Sequence, residues 1–211
     1  MIRKKQFYPL QCLVLCLVWL SGGAVSEAYA QNDWTLAKDK DGVKVYTRKL
    51  ENSDLKASKA VVFIHSDIKK VFDMLTDADH HNQWMDRVKA SRLLKKISDN
   101  EFYVYYEAEA PWPVNNRDVV ARFRIEKAED GKVKIVSVGE PTYLPPKDGV
   151  VRVPDTQSVW ELIQVDENLV EVTFISHVDP GGSVPEWISN LTVTDNPLNT
   201  LKNLKLLLEK K

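Results

Sequence analysis

Cysteine is nearly missing from this chain. Of 211 residues only Cys12 and Cys16 are cysteines, and both fall within the first thirty. Everything after them therefore lacks a disulfide, a thiol nucleophile and a thiolate metal site, and a fold there must stand on its own core. Strong charge of one sign is missing as well. Without Arg3, Lys4, Lys5 and Glu27 the 29 basic and 30 acidic residues become 26 and 29, a net of −3. Nucleic acid needs a basic stripe, and none is present; net charge would not draw the chain to an anionic membrane either. No G-x-S-x-G or H-E-x-x-H string occurs. His80 and His81 are adjacent, a poor spacing for one metal ion, and His65 and His177 stand alone. No metal and no cofactor is expected. Asn190-Leu191-Thr192 spells a glycosylation sequon, but it falls inside a predicted helix and carries no weight.

What is there begins with an export signal. Arg3, Lys4 and Lys5 form a positive start, an apolar run from Leu10 to Leu20 follows, and Ala28-Tyr29-Ala30 supplies the small-x-small pattern of a cleavage site. The apolar run is too short for a bilayer, which takes about 20 residues, and Leu15 before Cys16 does not fit a lipoprotein motif. Residues 1–30 are expected to be a cleaved signal peptide, Gln31–Lys211 the mature domain, and the protein periplasmic or secreted. A chain of that length is one domain, burying about 70% of its unfolded surface. No repeat, linker or low-complexity stretch divides it.

Strands dominate the mature chain. Val43–Leu50 and Ala57–Ile64 form a first pair. Ser66 is placed to cap a helix whose apolar face is Ile68, Val71, Phe72 and Leu75, and His80–Arg87 reads as a short helical or turn segment. In Glu101–Ala110 the residues Phe102, Val104, Tyr106 and Ala108 alternate with polar neighbours, and in Arg117–Glu126 so do Val119, Ala121, Phe123 and Ile125. That alternation predicts an antiparallel sheet with one wet and one apolar face. Val133–Val138, Ser158–Val165 and Val170–Val178 add three strands. Pro141, Pro145 and Pro146 make Gly139–Pro146 a loop, either a lid or a crossing of the sheet edge. At the end, Ser183 and Pro185 suit a helix start, and Val184, Trp187, Ile188, Leu191, Leu198, Leu201, Leu204 and Leu208 share a stripe, with Pro197 forcing a kink or break near Asn196. A long amphipathic helix across a curved antiparallel sheet is an α+β helix-grip fold, and it leaves a tunnel wherever inward side chains do not fill it.

Several strings, in order, resemble the START (steroidogenic acute regulatory protein-related lipid transfer) family. They are Trp34 with Asp41-Gly42-Val43-Lys44-Val45-Tyr46, Val71-Phe72-Asp73-Met74-Leu75 leading to Trp84, and Gly149-Val150-Val151-Arg152. Ser158-Val159-Trp160 and Asp179-Pro180-Gly181-Gly182-Ser183-Val184-Pro185 follow, and the most specific is Pro111-Trp112-Pro113-Val114-Asn115-Asn116-Arg117-Asp118. The likeness spans nearly the whole mature chain, in a stand-alone bacterial form without the N-terminal helix of many animal members. It implies a cavity for one lipid or sterol-sized molecule, opened by loops near the last helix. Enclosing a chain of about 15 methylenes would offset about 12 kcal/mol of exposure to water.

The expected partner is thus a lipid or other hydrophobic small molecule, with transient membrane contact, no nucleic acid and a monomeric state. Tyr106 is either a ligand contact or a core tyrosine satisfied by backbone. Val119, Ala121 and Phe123 should line the wall. Arg117 shares their parity; a structural ion pair is favoured for it over a contact with a ligand anion. Trp112, Tyr143, Leu144 and Val150 are gate candidates, and Trp187, Ile188 and Leu191 should face the cavity, although core packing alone predicts the same stripe. Two functions compete: a non-catalytic exported carrier or sensor, and an enzyme of the same superfamily, cyclase- or hydrolase-like. The inward positions show no paired carboxylates, which favours the first.

Overall fold

A computed structural model describes residues 34–51, 53, 55–127, 131–182, 184–185 and 191–210. Ten strands form one sheet: β1 (Thr35–Lys40), β2 (Val43–Lys49), β3 (Lys56–Ile64), β4 (Val88–Ser98), β5 (Glu101–Ala108), β6 (Arg117–Lys127), β7 (Lys132–Gly139), β8 (Val151–Arg152), β9 (Asp155–Asp166) and β10 (Leu169–Asp179). Their order is β1-β2-β3-β10-β9-β7-β6-β5-β4, antiparallel throughout except for short β8, which runs parallel beside β6. Helix α1 (Ile68–Thr76) and a 3-10 turn (Ala78–Gln83) link β3 to β4, and a π-helical turn (Leu191–Asp195) leads into the last helix, α2 (Asn196–Glu209). The expected helix-grip architecture is the one found.

The five strands β2, β3, β10, β9 and β7 meet in register, so their inward side chains fall into cross-sheet rows two residues apart. One row is Val43-Val62-Val172-Leu162-Val133, and the next is Val45-Ala60-Phe174-Trp160-Ile135. Leu198, Leu201 and Leu204 of α2 are buried in the same core as both rows, so the amphipathic stripe finds its apolar partner. Polar bonds fix the helix in place: Lys205 Nζ donates to Phe63 O (2.9 Å), Asn203 Nδ2 to Trp84 O (3.1 Å), and Asp86 N–H to Thr200 Oγ1 (3.1 Å).

Several expectations need correction. Asp67, not Ser66, caps α1, its carboxylate accepting from Lys69 N–H at 2.6 Å; the carboxylate is the stronger acceptor at that helix end. Strands β1 and β4 were not expected, because neither shows clean alternation. Both are edge strands, β1 largely exposed and β4 broken by three register shifts. Of the kink or break expected near Asn196, the break is found: the π-helical turn ends at Asp195 and α2 begins at Asn196 with Pro197 in its first turn, where a missing N–H costs nothing. The outer face of β5 and β6 is not wet. Tyr105, Glu107 and Asp118 are buried there, because the segment 139–153 folds over them.

That same segment answers whether Gly139–Pro146 is a lid or an edge crossing. Tyr143 stacks on Tyr103 with ring centres 4.4 Å apart, Lys147 Nζ donates to Glu107 at 2.6 Å, and Arg152 clasps Asp118 through Nε (2.8 Å) and Nη2 (2.9 Å). Nη1 of Arg152 also donates to Pro141 O and Leu144 O. The proline loop is thus pinned to the outside of the sheet.

Candidate ligand cavity

Between the inner face and the start of α2 lies a cavity of about 240 Å³. Its position follows from the third cross-sheet row. Where the first two rows carry bulky apolar groups, the next inward positions read Thr47-Ser58-Ser176-Ser158-Ser137. Serine is too short to reach the helix, and Ala108, Ala121 and Thr156 extend the low floor. The serines satisfy one another: Ser137 and Ser158 hydroxyls lie 2.7 Å apart, Ser58 and Ser176 3.1 Å apart.

One wall is aromatic. Trp160 stacks on Phe174 with centroids 4.1 Å apart and meets Trp84 edge-on at 5.9 Å; His81 meets Trp84 edge-on at 5.4 Å and lies parallel to Tyr106. His81 is 2% exposed. Its Nε2 lies 3.1 Å from Leu75 O, and its Nδ1 lies 2.8 Å from Tyr106 Oη. A carbonyl only accepts, so Nε2 carries the proton and Nδ1 accepts from the tyrosine hydroxyl. Burial presses the imidazole pKa down to about 4 and pushes the phenol well above its usual range. At neutral pH this pair is uncharged.

Five of the residues singled out from sequence line the cavity: Tyr106, Arg117, Val119, Ala121 and Phe123. Arg117 departs from the favoured reading, since its neighbour Asp118 faces the other side of the sheet and pairs with Arg152. Its guanidinium donates instead to the carbonyls of Asn115, Pro180 (3.3 Å) and Gly181 (3.4 Å), and burial lowers its pKa. It ties the turn before the C-terminal helical region to the proline turn 111–116. Trp112 is not on the wall; it projects from the rim at 90% exposure, next to wall residue Pro111. Tyr143, Leu144 and Val150 are not on the wall either, being held outside the sheet by the contacts of 139–153. Trp187 and Ile188 lie outside the described residues, as does the side chain of Leu191.

Sequence reasoning missed His81, Trp84, Trp160, Phe174, Asn196 and the serine row. His80, the neighbour of His81, is exposed and bonded to Asp77 at 2.8 Å. A signal for His81 existed: Leu75, Ala78, His81 and Trp84, all buried, recur every third residue, the period of a 3-10 helix. Nothing comparable marks the serines as a row, because register between strands distant in sequence is set by the fold.

Comparison with known proteins gives a consistent result. The START domain model matches residues 25–208. An uncharacterised protein of Pseudomonas aeruginosa is 36% identical over 94% of this chain and 96% of its own. Mouse phosphatidylcholine transfer protein is 31% identical, with 82% of each chain covered. The crystal structure of a STAR-related lipid transfer protein fragment from Xanthomonas axonopodis superposes with a TM-score of 0.78 at 43% identity, covering 84% of this chain and 99% of that one.

Proposed function

The chain belongs to the START domain family, and from that premise we propose that it is an exported, non-catalytic carrier or sensor of a lipid-like molecule held in the cavity. The observation that carries this reading is the cavity itself. It is walled by Trp84, Trp160, Phe174 and Phe123, floored by small residues, and bounded by the start of α2. Of the charged residues on its wall, Asp86, Arg87, Glu109 and Arg117, the first two lie against each other and Arg117 is held by backbone carbonyls, which fits a binding site better than converging reactive groups. His81 and Tyr106 are committed to each other and to Leu75 O, which takes the buried imidazole out of use as a base. Export rests on the basic start, apolar run and Ala28-Tyr29-Ala30 of the N-terminus. Trp112 at the rim is suited to brief contact with a membrane interface, where an indole is favoured.

Lipid analysis by mass spectrometry tests this on full-chain protein expressed in a bacterium and recovered from the periplasm. Near-stoichiometric recovery of one lipid class, lost in Phe123→Glu, is the expected result, with an intact mass beginning at Gln31. A protein that emerges empty and takes up nothing from phosphatidylethanolamine–phosphatidylglycerol vesicles would overturn the carrier reading. An intact mass retaining Met1 would overturn the cleavage.

A further inference from the structure

Charge is unevenly spread along the chain. Residues 34–64, which carry β1, β2 and β3, hold seven basic and four acidic residues, a net of +3, although residues 31–211 together stand at −3. Across the rest of the sheet many cations are paired: Arg122 with Glu140 and Lys134 with Glu126, each at 3.3 Å, Lys147 with Glu107, and Arg152 with Asp118. Arg48, Lys56 and Lys59 make no ion pair among the described residues. Two of them lie over aromatic rings instead. Arg48 Cζ is 4.8 Å and Lys59 Nζ 5.3 Å from the centre of the Trp34 ring, and Lys59 Nζ is 4.9 Å from that of Tyr46. A ring face attracts a cation without cancelling its charge, so the positive field reaches the solvent. Lys56 is exposed and stands directly opposite Lys49 across β2 and β3, which places a second cation beside it.

Strand register puts this corner at the rim of the cavity. Beyond the serine row, β2 leads to Lys49, β3 to Lys56, β10 to Val178, β9 to Thr156, and β5 to Ala108 and the turn 109–116. Val178, Thr156, Ala108 and Pro111 all line the cavity. Trp34, which precedes β1, therefore stands at the same end of the sheet as Trp112. Acids are present at this end too, Glu51 in the β2–β3 turn and Glu109 after β5 among them, so the positive field belongs to the β1–β3 corner and not to the whole rim.

Building on the carrier reading, we propose that the β1–β3 corner, with Arg48, Lys56 and Lys59 around Trp34, is a docking surface for an anionic phospholipid bilayer. Docking there brings the cavity rim to the source of its cargo. Unpaired cations attract phosphate head groups, and each one close to an anionic leaflet strengthens binding about fivefold. An indole is favoured at the head-group level, and two indoles beside a lipid cavity fit a bilayer better than an acidic protein. Net charge alone would not draw this chain to such a membrane; a local patch does.

Flotation of the protein recovered from the periplasm, with vesicles of phosphatidylcholine alone or mixed with phosphatidylglycerol, tests this. Binding is expected to be about tenfold tighter or more on the anionic vesicles and to fall as salt rises, because exposed charges are screened. Lys56→Glu should weaken it by about fivefold or more. Lys132→Glu, the same charge change at an exposed position at the other end of the sheet, should leave it unchanged. Arg48→Glu with Lys59→Glu should abolish it. That double variant also strips Trp34 of both cations and can disturb the fold, so Lys56→Glu against Lys132→Glu carries the decision. Equal binding to the two kinds of vesicle, or equal losses in those two variants, overturns the proposal. Capture of soluble polyglutamate in place of anionic vesicles also overturns it and marks a site for an acidic protein. Vesicle binding as expected, with no lipid carried away, would instead overturn the carrier reading and leave the docking surface standing.

Discussion

Two rows of side chains, four residues apart on the same five strands, do opposite things. Val43-Val62-Val172-Leu162-Val133 belongs to the core that α2 covers, with Val43, Val62, Val172 and Leu162 fully buried. Thr47-Ser58-Ser176-Ser158-Ser137 faces the same way, on the same pleat, and its Ser176, Ser158 and Ser137 border a cavity. Backbone geometry is shared, so the difference lies in side-chain reach and polarity. Valine and leucine fill the space beneath the helix to the density of a protein interior. Serine leaves that space open and spends its hydroxyl on its neighbour, which lets a polar row stay dry without unmade hydrogen bonds. Stability and ligand capacity are thus assigned to different rows of one sheet, with the Trp160–Phe174 layer as the boundary between them.

The sharpest way to break this division is to cut into the packed side. Leu204→Ala, at a fully buried position of α2, should destabilise the protein by about 2–5 kcal/mol, because the surrounding rows relax only partly around the hole. Urea denaturation measures it, and a loss under 1 kcal/mol would mean that this end is not the packed one.

A second test titrates the boundary. Folded His81 has its pKa lowered by burial to about 4 against about 6.5 when unfolded. The unfolded chain therefore binds the extra proton in that window, and stability falls as pH drops from 6.5 towards 4. The integrated effect is about 3 kcal/mol. Denaturation midpoints of wild type and His81→Phe compared at pH 7.5 and 5 should show the wild type losing more; parallel losses would place His81 in a solvated site.

Filling the open side should cost little. Ala121→Leu adds volume to the cavity and is expected to change stability by less than about 1.5 kcal/mol. It should weaken hexadecane binding more than tenfold, read by tryptophan fluorescence. A large loss of stability with binding intact would invert the comparison. The smallest effect belongs to the rim: Trp112→Ser should leave stability within about 0.5 kcal/mol of wild type, as exposed positions do, and slow lipid uptake from vesicles. Unchanged uptake would remove Trp112 from membrane contact.

How far the sequence could be read follows from what each feature depends on. Strands β2, β3, β5, β6, β7, β9 and β10 were legible because alternation is a local signal and each has a buried face. Edge strands β1 and β4 were not, since little on them is buried and bulges break the period. Tyr106, Arg117, Val119, Ala121 and Phe123 were placed on the correct face by parity alone. Parity does not say what covers the opposite face, which is why Tyr143, Leu144 and Val150 were assigned to a gate, although Arg152 and Asp118 hold their loop outside. Nor does it say which partner a charge will meet, and Arg117 found carbonyls where a carboxylate was expected.

By itself, the sequence determined the alternation that builds the sheet, the apolar stripe of α2 and the family motifs from Trp34 to Pro185. These are written in residues close along the chain, where pleat and helical period act directly. Only the tertiary structure decided that four serines from four strands stand side by side, and that His81 is sealed against Tyr106 while His80 stays in water. Those juxtapositions join residues up to 118 positions apart, as in Ser58 and Ser176 on strands whose register is set by sheet pairing, and no local pattern encodes them.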